Sequence, residues 1–201
     1  FVFACFNAVY KIDPDVFAAW MRILARLPGS VLWLLETAPG AVVHLRQEAA
    51  TRGIEPTRLV FARLVDKPLH LARHRLAGLF LDTPLCNAHT TASDALWGGL
   101  PLLTCADDSF AGRVATSLLH AVGLPELATN EPQAYEHMAL RIATTPSLLA
   151  HLRARLAANR GTCPLFDTDR YRRHLEAAYA AMWERCQRAL PPESFEVEPA
   201  G

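Results

Sequence analysis

No sign of charge prevails in this chain. Its 20 lysines and arginines balance 20 aspartates and glutamates, for a formal net charge of zero over 201 residues. Such a surface offers no general attraction for nucleic acid or for an anionic membrane, and neither partner is expected. No apolar run approaches the length of a membrane span. Cysteine is sparse. Cys5, Cys86, Cys105, Cys163 and Cys186 are odd in number, scattered and without CxxC spacing. That pattern is neither a disulfide framework nor a zinc site. It predicts a reducing, cytoplasmic setting, with Cys163 and Cys186 as surface thiols. The start, Phe1 to Phe6, lacks the basic n-region and the small-residue cleavage site of a signal peptide. It lacks an initiator Met as well and already reads as a buried strand, so a piece of a longer protein is expected. A GxGxxG turn after the first strand and a Walker A sequence are both missing. That argues against a dinucleotide dehydrogenase or a P-loop enzyme.

What is present is alternation. Half the residues are hydrophobic, enough for a globular core. Apolar runs of strand length fall at Val2–Cys5, Val31–Leu35, Leu59–Phe61, Leu79–Leu81 and Leu102–Cys105. Between them lie stretches of helical spacing: Pro14 to Leu27, Ala41 to Arg52, Lys67 to Arg75 and Thr91 to Gly98. Asp13-Pro14 reads as an N-cap with Pro at the first helical position, and Gly53 as a helix stop. Asp66 is a candidate N-cap for the third helix. Five strands alternating with helices predict an α/β fold: a Rossmann-like parallel sheet flanked by helices. From Phe110 the chain reads as all helical, with segments at 110–122, 133–144, 147–159 and 168–188. Residues 189–201 have no periodic apolar face and read as a disordered tail. Trp20, Trp33, Trp97 and Trp183 sit on apolar faces and are expected in the core.

The richest stretch is Leu81-Asp82-Thr83-Pro84-Leu85-Cys86-Asn87-Ala88-His89-Thr90-Thr91, leading into Ala92-Ser93-Asp94. A strand ends in an acidic turn, and two threonines then open a helix. Hydroxyls and unpaired N–H groups at a helix N-terminus make a seat for phosphate. Asp94, a turn further on, is placed to take ribose hydroxyls. A second reading stays open: Thr91-Ala92-Ser93-Asp94 also fits a capping box, in which Asp94 serves only its own helix. In a Rossmann strand order the loops after strands one and four face each other across the switch point. Lys11 and the His89-Thr90-Thr91 corner are therefore expected to converge.

Four clusters lie on that edge: Phe6-Asn7-Ala8-Val9-Tyr10-Lys11-Ile12-Asp13-Pro14, Lys67-Pro68-Leu69-His70-Leu71-Ala72-Arg73, Asp82 to Thr91, and Asp94-Ala95-Leu96-Trp97-Gly98-Gly99-Leu100-Pro101. Together they closely resemble the C-terminal catalytic lobe of the O-linked N-acetylglucosamine transferases, which modify serine and threonine of intracellular proteins. The resemblance runs from Phe1 to about Arg188 and includes Cys163-Pro164-Leu165-Phe166 and the helix around Tyr179 and Trp183. Plant-type O-fucosyltransferases resemble the chain less well, because they lack the Leu-Cys-Asn run. The resemblance implies one lobe of a two-lobed GT-B glycosyltransferase, with residues 1–188 as the nucleotide-sugar-binding lobe. The other lobe and tetratricopeptide repeats would lie upstream.

It also implies roles. Lys11 would neutralise the diphosphate as it departs and is the candidate catalytic residue. His70 would pack on uracil with Lys67 near the ribose, and Arg73 would extend that contact. His89, Thr90 and Thr91 would seat the diphosphate, with His89 near the sugar. Asp94 would bind the ribose. Family members often carry Gln where this chain has Ala8, so one amide contact to phosphate is missing here. The implied donor is UDP-N-acetylglucosamine, the implied acceptor a protein hydroxyl, and neither cofactor nor metal is implied. Two other readings remain at this stage: a sugar-nucleotide epimerase, and a non-catalytic nucleotide-sugar sensor or scaffold.

Overall fold

A computed structural model describes residues 1–198. It contains a six-stranded, wholly parallel sheet in the order β3-β2-β1-β4-β5-β6. The strands are β1 (Val2–Cys5), β2 (Val31–Leu35), β3 (Leu59–Ala62), β4 (Leu79–Leu81), β5 (Leu102–Cys105) and β6 (Ala128–Thr129). Five of them lie where apolar runs predict. The sixth was expected to fall in a helical region. Two residues are too short for a periodic signal, and Ala128 and Thr129 are strand only because Thr104 and Cys105 pair with them. β1 and β4 are neighbours, with Phe3 opposite Leu79 and Ala4 opposite Phe80. The chain leaves these two strands toward opposite sides, so the switch point lies between them.

The helices are α1 (Pro14–Arg26), α2 (Pro39–Thr51), α3 (Lys67–Arg73), α4 (Thr90–Trp97), α5 (Phe110–Ala121), α6 (Pro132–Thr144), α7 (Pro146–Asn159) and α8 (Thr168–Gln187). The start of α1 is set locally. Asp13 Oδ1 accepts from the N–H groups of Asp15 and Val16 at 2.9 and 3.0 Å, and Pro14 pre-sets the first turn. Gly53 does close α2, at φ +73°. Asp66 stands before α3 but makes no side-chain cap. Residues 74–76 tighten into a 3-10 turn rather than continuing α3.

Strands β4 and β5 are buried along their whole length, as the middle of a sheet covered on both faces requires, while β2 alternates buried and half-buried residues and the edge strand β3 exposes Val60. Right-handed crossovers place α1 and α2 on one face and α4 and α5 on the other. Helix α6 then returns to pack against α1. A polar thread joins these layers: Trp20 Nε1 of α1 donates to the Tyr135 hydroxyl of α6 (3.0 Å), which donates to the Asp82 carbonyl (3.1 Å). The end of β4 is thus tied to both covering helices.

Several expectations need correction. Of the four tryptophans only Trp20 is fully buried. Trp33 is half-buried, while Trp97 and Trp183 are 48% and 65% exposed. Trp97 lies at the end of α4 with the Phe166 ring 5.1 Å away, and no residue of α8 is buried. Cys163 is buried against the core rather than at the surface. Residues 191–198 form neither helix nor strand, though Arg185 reaches back to the Pro191 carbonyl and pairs with Glu193. The last three residues of the predicted tail lie outside the described residues.

Candidate nucleotide-sugar site

The site builds outward from one buried carboxylate. Asp82 directly follows β4 and has no solvent exposure. Its Oδ1 accepts from the Ala88 N–H (2.7 Å) and from Asn7 Nδ2 (3.1 Å), and its Oδ2 from the Thr104 hydroxyl (2.8 Å). Burial raises its pKa to about 6, although these donors pull the other way. The loop after β4 is wound around this anchor. Thr83 Oγ1 donates to the Cys86 carbonyl (2.7 Å), and Asn87 Nδ2 donates to the Thr83 carbonyl (3.1 Å). The Ala115 N–H donates to Asn87 Oδ1 (3.1 Å), which fixes the loop to α5.

This loop delivers the chain to α4 with His89 at the N-cap. The N–H groups of Ala92 and Ser93 donate to the His89 carbonyl at 3.1 Å each. Those of Thr90 and Thr91 precede the first intrahelical bond and point out of the helix end. The Thr91 hydroxyl donates to Asn7 Oδ1 at 2.6 Å, and Thr90 is exposed. Lys11, from the 3-10 turn after β1, donates through Nζ to the Asn87 carbonyl at 2.7 Å. Lys11 and the His89-Thr90-Thr91 corner thus meet across the switch point.

The capping-box reading fails here. Thr91 is inside α4 rather than at its cap, and its hydroxyl bonds to Asn7. Asp94 does not reach back to the helix start. Its two oxygens accept from Lys67 Nζ at 2.6 and 2.5 Å, and His70 Nε2 lies 3.9 Å from Oδ2. Lys67, His70 and Asp94 therefore form one cluster between α3 and α4. Burial and the nearby Arg73 guanidinium lower the His70 pKa, so its ring is neutral at pH 7 and offers a stacking face.

The helices approach closely enough for this because Gly98 has no side chain. A Cβ there would lie 2.9 Å from His74 Cβ and 3.2 Å from the Leu71 carbonyl. Arg73 is turned away from Asp94. It donates to the Arg63 carbonyl (3.0 Å) and lies over the Phe6 ring at 5.2 Å, with Nε and Nη2 buried and unpartnered. Phe6 also meets the rings of His70 and His74 edge-on, at 5.5 and 5.2 Å.

Sequence reasoning missed the buried members: Asn7, Asp82, Asn87 and Thr104. Their signal was polar residues at the ends of wholly apolar strands, but which partners they choose depends on which strands pair. An apolar cleft of about 390 Å³ opens on the other side of the loop, lined by Val16, Arg22, Pro84, Leu85 and Tyr135 among others. Its one arginine is held by Glu136, so it offers no cation to a diphosphate. Among the described residues no group of three or more His, Cys, Asp or Glu is arranged to hold a metal ion. No helix among them is long and apolar enough to cross a membrane.

The family model for glycosyl transferase family 41 matches residues 1–175, from β1 through this site into α8. The chain belongs to glycosyl transferase family 41. Two relatives bear this out. The probable UDP-N-acetylglucosamine–peptide N-acetylglucosaminyltransferase SEC of Arabidopsis thaliana is 41% identical over 198 residues, 98% of this chain and 20% of its own length. The UDP-N-acetylglucosamine–peptide N-acetylglucosaminyltransferase of Caenorhabditis elegans is 42% identical over 190 residues, 94% of this chain and 16% of its own. A mutant of the Thermobaculum terrenum O-GlcNAc transferase superposes with a TM-score of 0.87 at 33% identity, covering 94% of this chain and 37% of that one. The family 41 lobe described here therefore spans about a fifth of the length of the curated relatives it matches. Its parallel sheet flanked by helices is the GT-B architecture of the Thermobaculum enzyme.

Proposed function

We propose that this lobe, residues 1–188, binds UDP-N-acetylglucosamine, and that the full-length protein transfers N-acetylglucosamine with inversion to serine and threonine hydroxyls of proteins. One observation carries the reading: an ammonium group, a helix N-terminus with two threonines, and a carboxylate between a lysine and a neutral histidine all border the switch-point crevice. The relatives' names supply the donor and acceptor class.

The chemistry follows from charge. The acceptor oxygen attacks the anomeric carbon, and the bond from that carbon to the β-phosphate oxygen breaks. UDP leaves carrying the electron pair. Lys11, the N–H groups of Thr90 and Thr91 and the dipole of α4 oppose the charge that develops, where preorganised donors act most strongly. The scheme uses no metal. His70 stacks on the base, Arg73 holds the Phe6 side of that pocket, and Asp94 with Lys67 addresses the ribose. His89 faces the sugar. The acceptor's proton goes to a base contributed by the upstream lobe, and that lobe with its repeats selects the acceptor in the cytoplasm.

The test is to incubate the full-length protein with donor labelled in the sugar, with and without a serine-containing peptide. Label on the peptide hydroxyl is the expected result. A C2-epimer of the donor, or binding without turnover, would replace the proposal with the epimerase or the sensor.

A further inference from the structure

Asn7 uses both the nitrogen and the oxygen of its side-chain amide in hydrogen bonds, to Asp82, Thr83 and Thr91. It leaves β1 at 2% exposure, wedged between the Asp82 anchor and the first turn of α4. Its amide nitrogen donates to Asp82 Oδ1 at 3.1 Å and to Thr83 Oγ1 at 2.8 Å. The direction of these bonds is forced. An ionised Asp82 only accepts, and the Thr83 hydroxyl has already given its hydrogen to the Cys86 carbonyl. The amide nitrogen must therefore face Asp82 and Thr83. Its oxygen is left facing α4, where it accepts the Thr91 hydroxyl hydrogen at 2.6 Å. Thr91 is half-buried, and its rotamer and hydroxyl direction are set by this one partner.

We propose that Asn7 is a positioning residue that couples the buried Asp82 carboxylate to the Thr91 hydroxyl, and that this coupling sets the site's preference for a diphosphate over an uncharged nucleoside. The inference rests on the reading of Thr91 as part of the phosphate seat. The coupling spans three elements. Asp82 Oδ1 also accepts the Ala88 N–H, so the carboxylate that orients Asn7 fixes the backbone one residue before His89. The end of β1, the loop after β4 and the first turn of α4 are thus held in one register. Loosening Asn7 lets Thr91 rotate and frees the α4 entrance, while the Lys67–His70–Asp94 cluster one turn away keeps its own contacts. The loss should therefore fall on phosphate and spare the nucleoside.

The test is calorimetric titration of the full-length protein with UDP and with uridine, in four forms: wild type, Asn7→Ala, Thr91→Val, and both together. Asn7→Ala is expected to weaken UDP roughly tenfold while uridine affinity stays within about twofold. In the Thr91→Val background, Asn7→Ala should cost little more, because both changes remove the same interaction. Additive losses, or equal losses for UDP and uridine, would overturn the proposal and leave Asn7 as a packing residue. If the wild type binds UDP no more tightly than uridine, the phosphate-seat reading fails and this inference falls with it. Should Asn7→Ala not fold, Asn7→Ser carries the same cycle with a smaller cavity.

Discussion

At the scale of single residues, the charged and titrating groups around the switch point divide the work. Lys11 sits over the loop that leads into α4, and among the described residues its ammonium donates to the neutral Asn87 carbonyl rather than to a carboxylate. Its charge is therefore not cancelled by a carboxylate, as the proposed role on a departing phosphate requires. Lys11→Ala in the full-length protein should lower kcat on the order of 100-fold and leave donor KM within a few-fold, as removal of a donor that acts on developing charge does. Steady-state kinetics with UDP-N-acetylglucosamine checks it. A raised KM at unchanged kcat would assign Lys11 to ground-state binding.

Two buried groups make stability depend on pH with opposite signs. His74 has no exposure and accepts or donates only at Nδ1, 2.8 Å from the His70 carbonyl. Burial lowers its pKa to about 4. Its unfolded form titrates near 6.5. The stability that neutral His74 confers is complete above that value and lost as pH falls toward 4. Asp82 is the reverse. Its folded pKa is about 6 against an ordinary 3.8, so its contribution is complete below 4 and lost as pH rises through 6. Between pH 4 and 6 the two nearly cancel. His74→Gln should expose the Asp82 slope, a loss of about 2–3 kcal/mol from pH 4 to 6. Asp82→Asn should expose a gain of similar size. Urea unfolding of each variant across this range, referred to wild type, measures both. Profiles parallel to wild type would refute the assignment.

At the scale of elements, the site depends on how close two short helices come. Helix α3 has no side-chain cap and only seven residues, too few to be stable alone. It is held by packing on Phe6 and α4 and by the Lys67–Asp94 pair. The pair's net energy is small because Lys67 is exposed. The contact at Gly98 is therefore decisive. Gly98→Ala would push against His74 Cβ, and overpacking of this kind costs about 1–3 kcal/mol. By separating α3 from α4 it should also weaken uridine binding, which the Asn7 variants spare. Melting temperature and uridine titration together test this; normal uridine affinity in a destabilised variant would detach the nucleoside site from the helix approach.

At the scale of the whole molecule, the sheet order decides what meets. Ligand that binds only the folded state stabilises it by mass action. UDP at 100 times its Kd should add about 2.7 kcal/mol and raise the melting temperature roughly 5–10 °C. GDP should protect much less, because the proposed role of His70 is to stack on uracil. Thermal melts at matched concentrations settle the base preference, and equal protection would count against a uridine site.

Much of this architecture was legible in the residues. The short apolar runs gave five strands, because a strand buried on both faces must be apolar along its length. Asp13-Pro14 and Gly53 bounded helices by local chemistry that needs no tertiary partner. Lys11, Asp94 and the Thr90-Thr91 pair stood out because charges and hydroxyls cluster at the ends of those strands, whereas Lys67 and His70 were singled out by the resemblance to the transferase family. Other features depended on distant partners. Strand β6 exists only through pairing with β5. Trp97 and Trp183 have the apolar character of core residues, yet burial depends on what the fold brings over them. Thr91 followed by Asp94 spells a capping box, but Asn7 and Lys67, distant in sequence, compete for those side chains and win. The sequence by itself determined where five of the six strands and the helices between them fall and which residues carry charge, since propensity, periodicity and capping act within a few residues. The tertiary structure alone decided that Asp82 is buried, that Asn7 links it to Thr91, and that Lys67 meets Asp94. These pairings cross 75, 84 and 27 residues of chain, and only the order of the strands brings such groups within hydrogen-bonding distance.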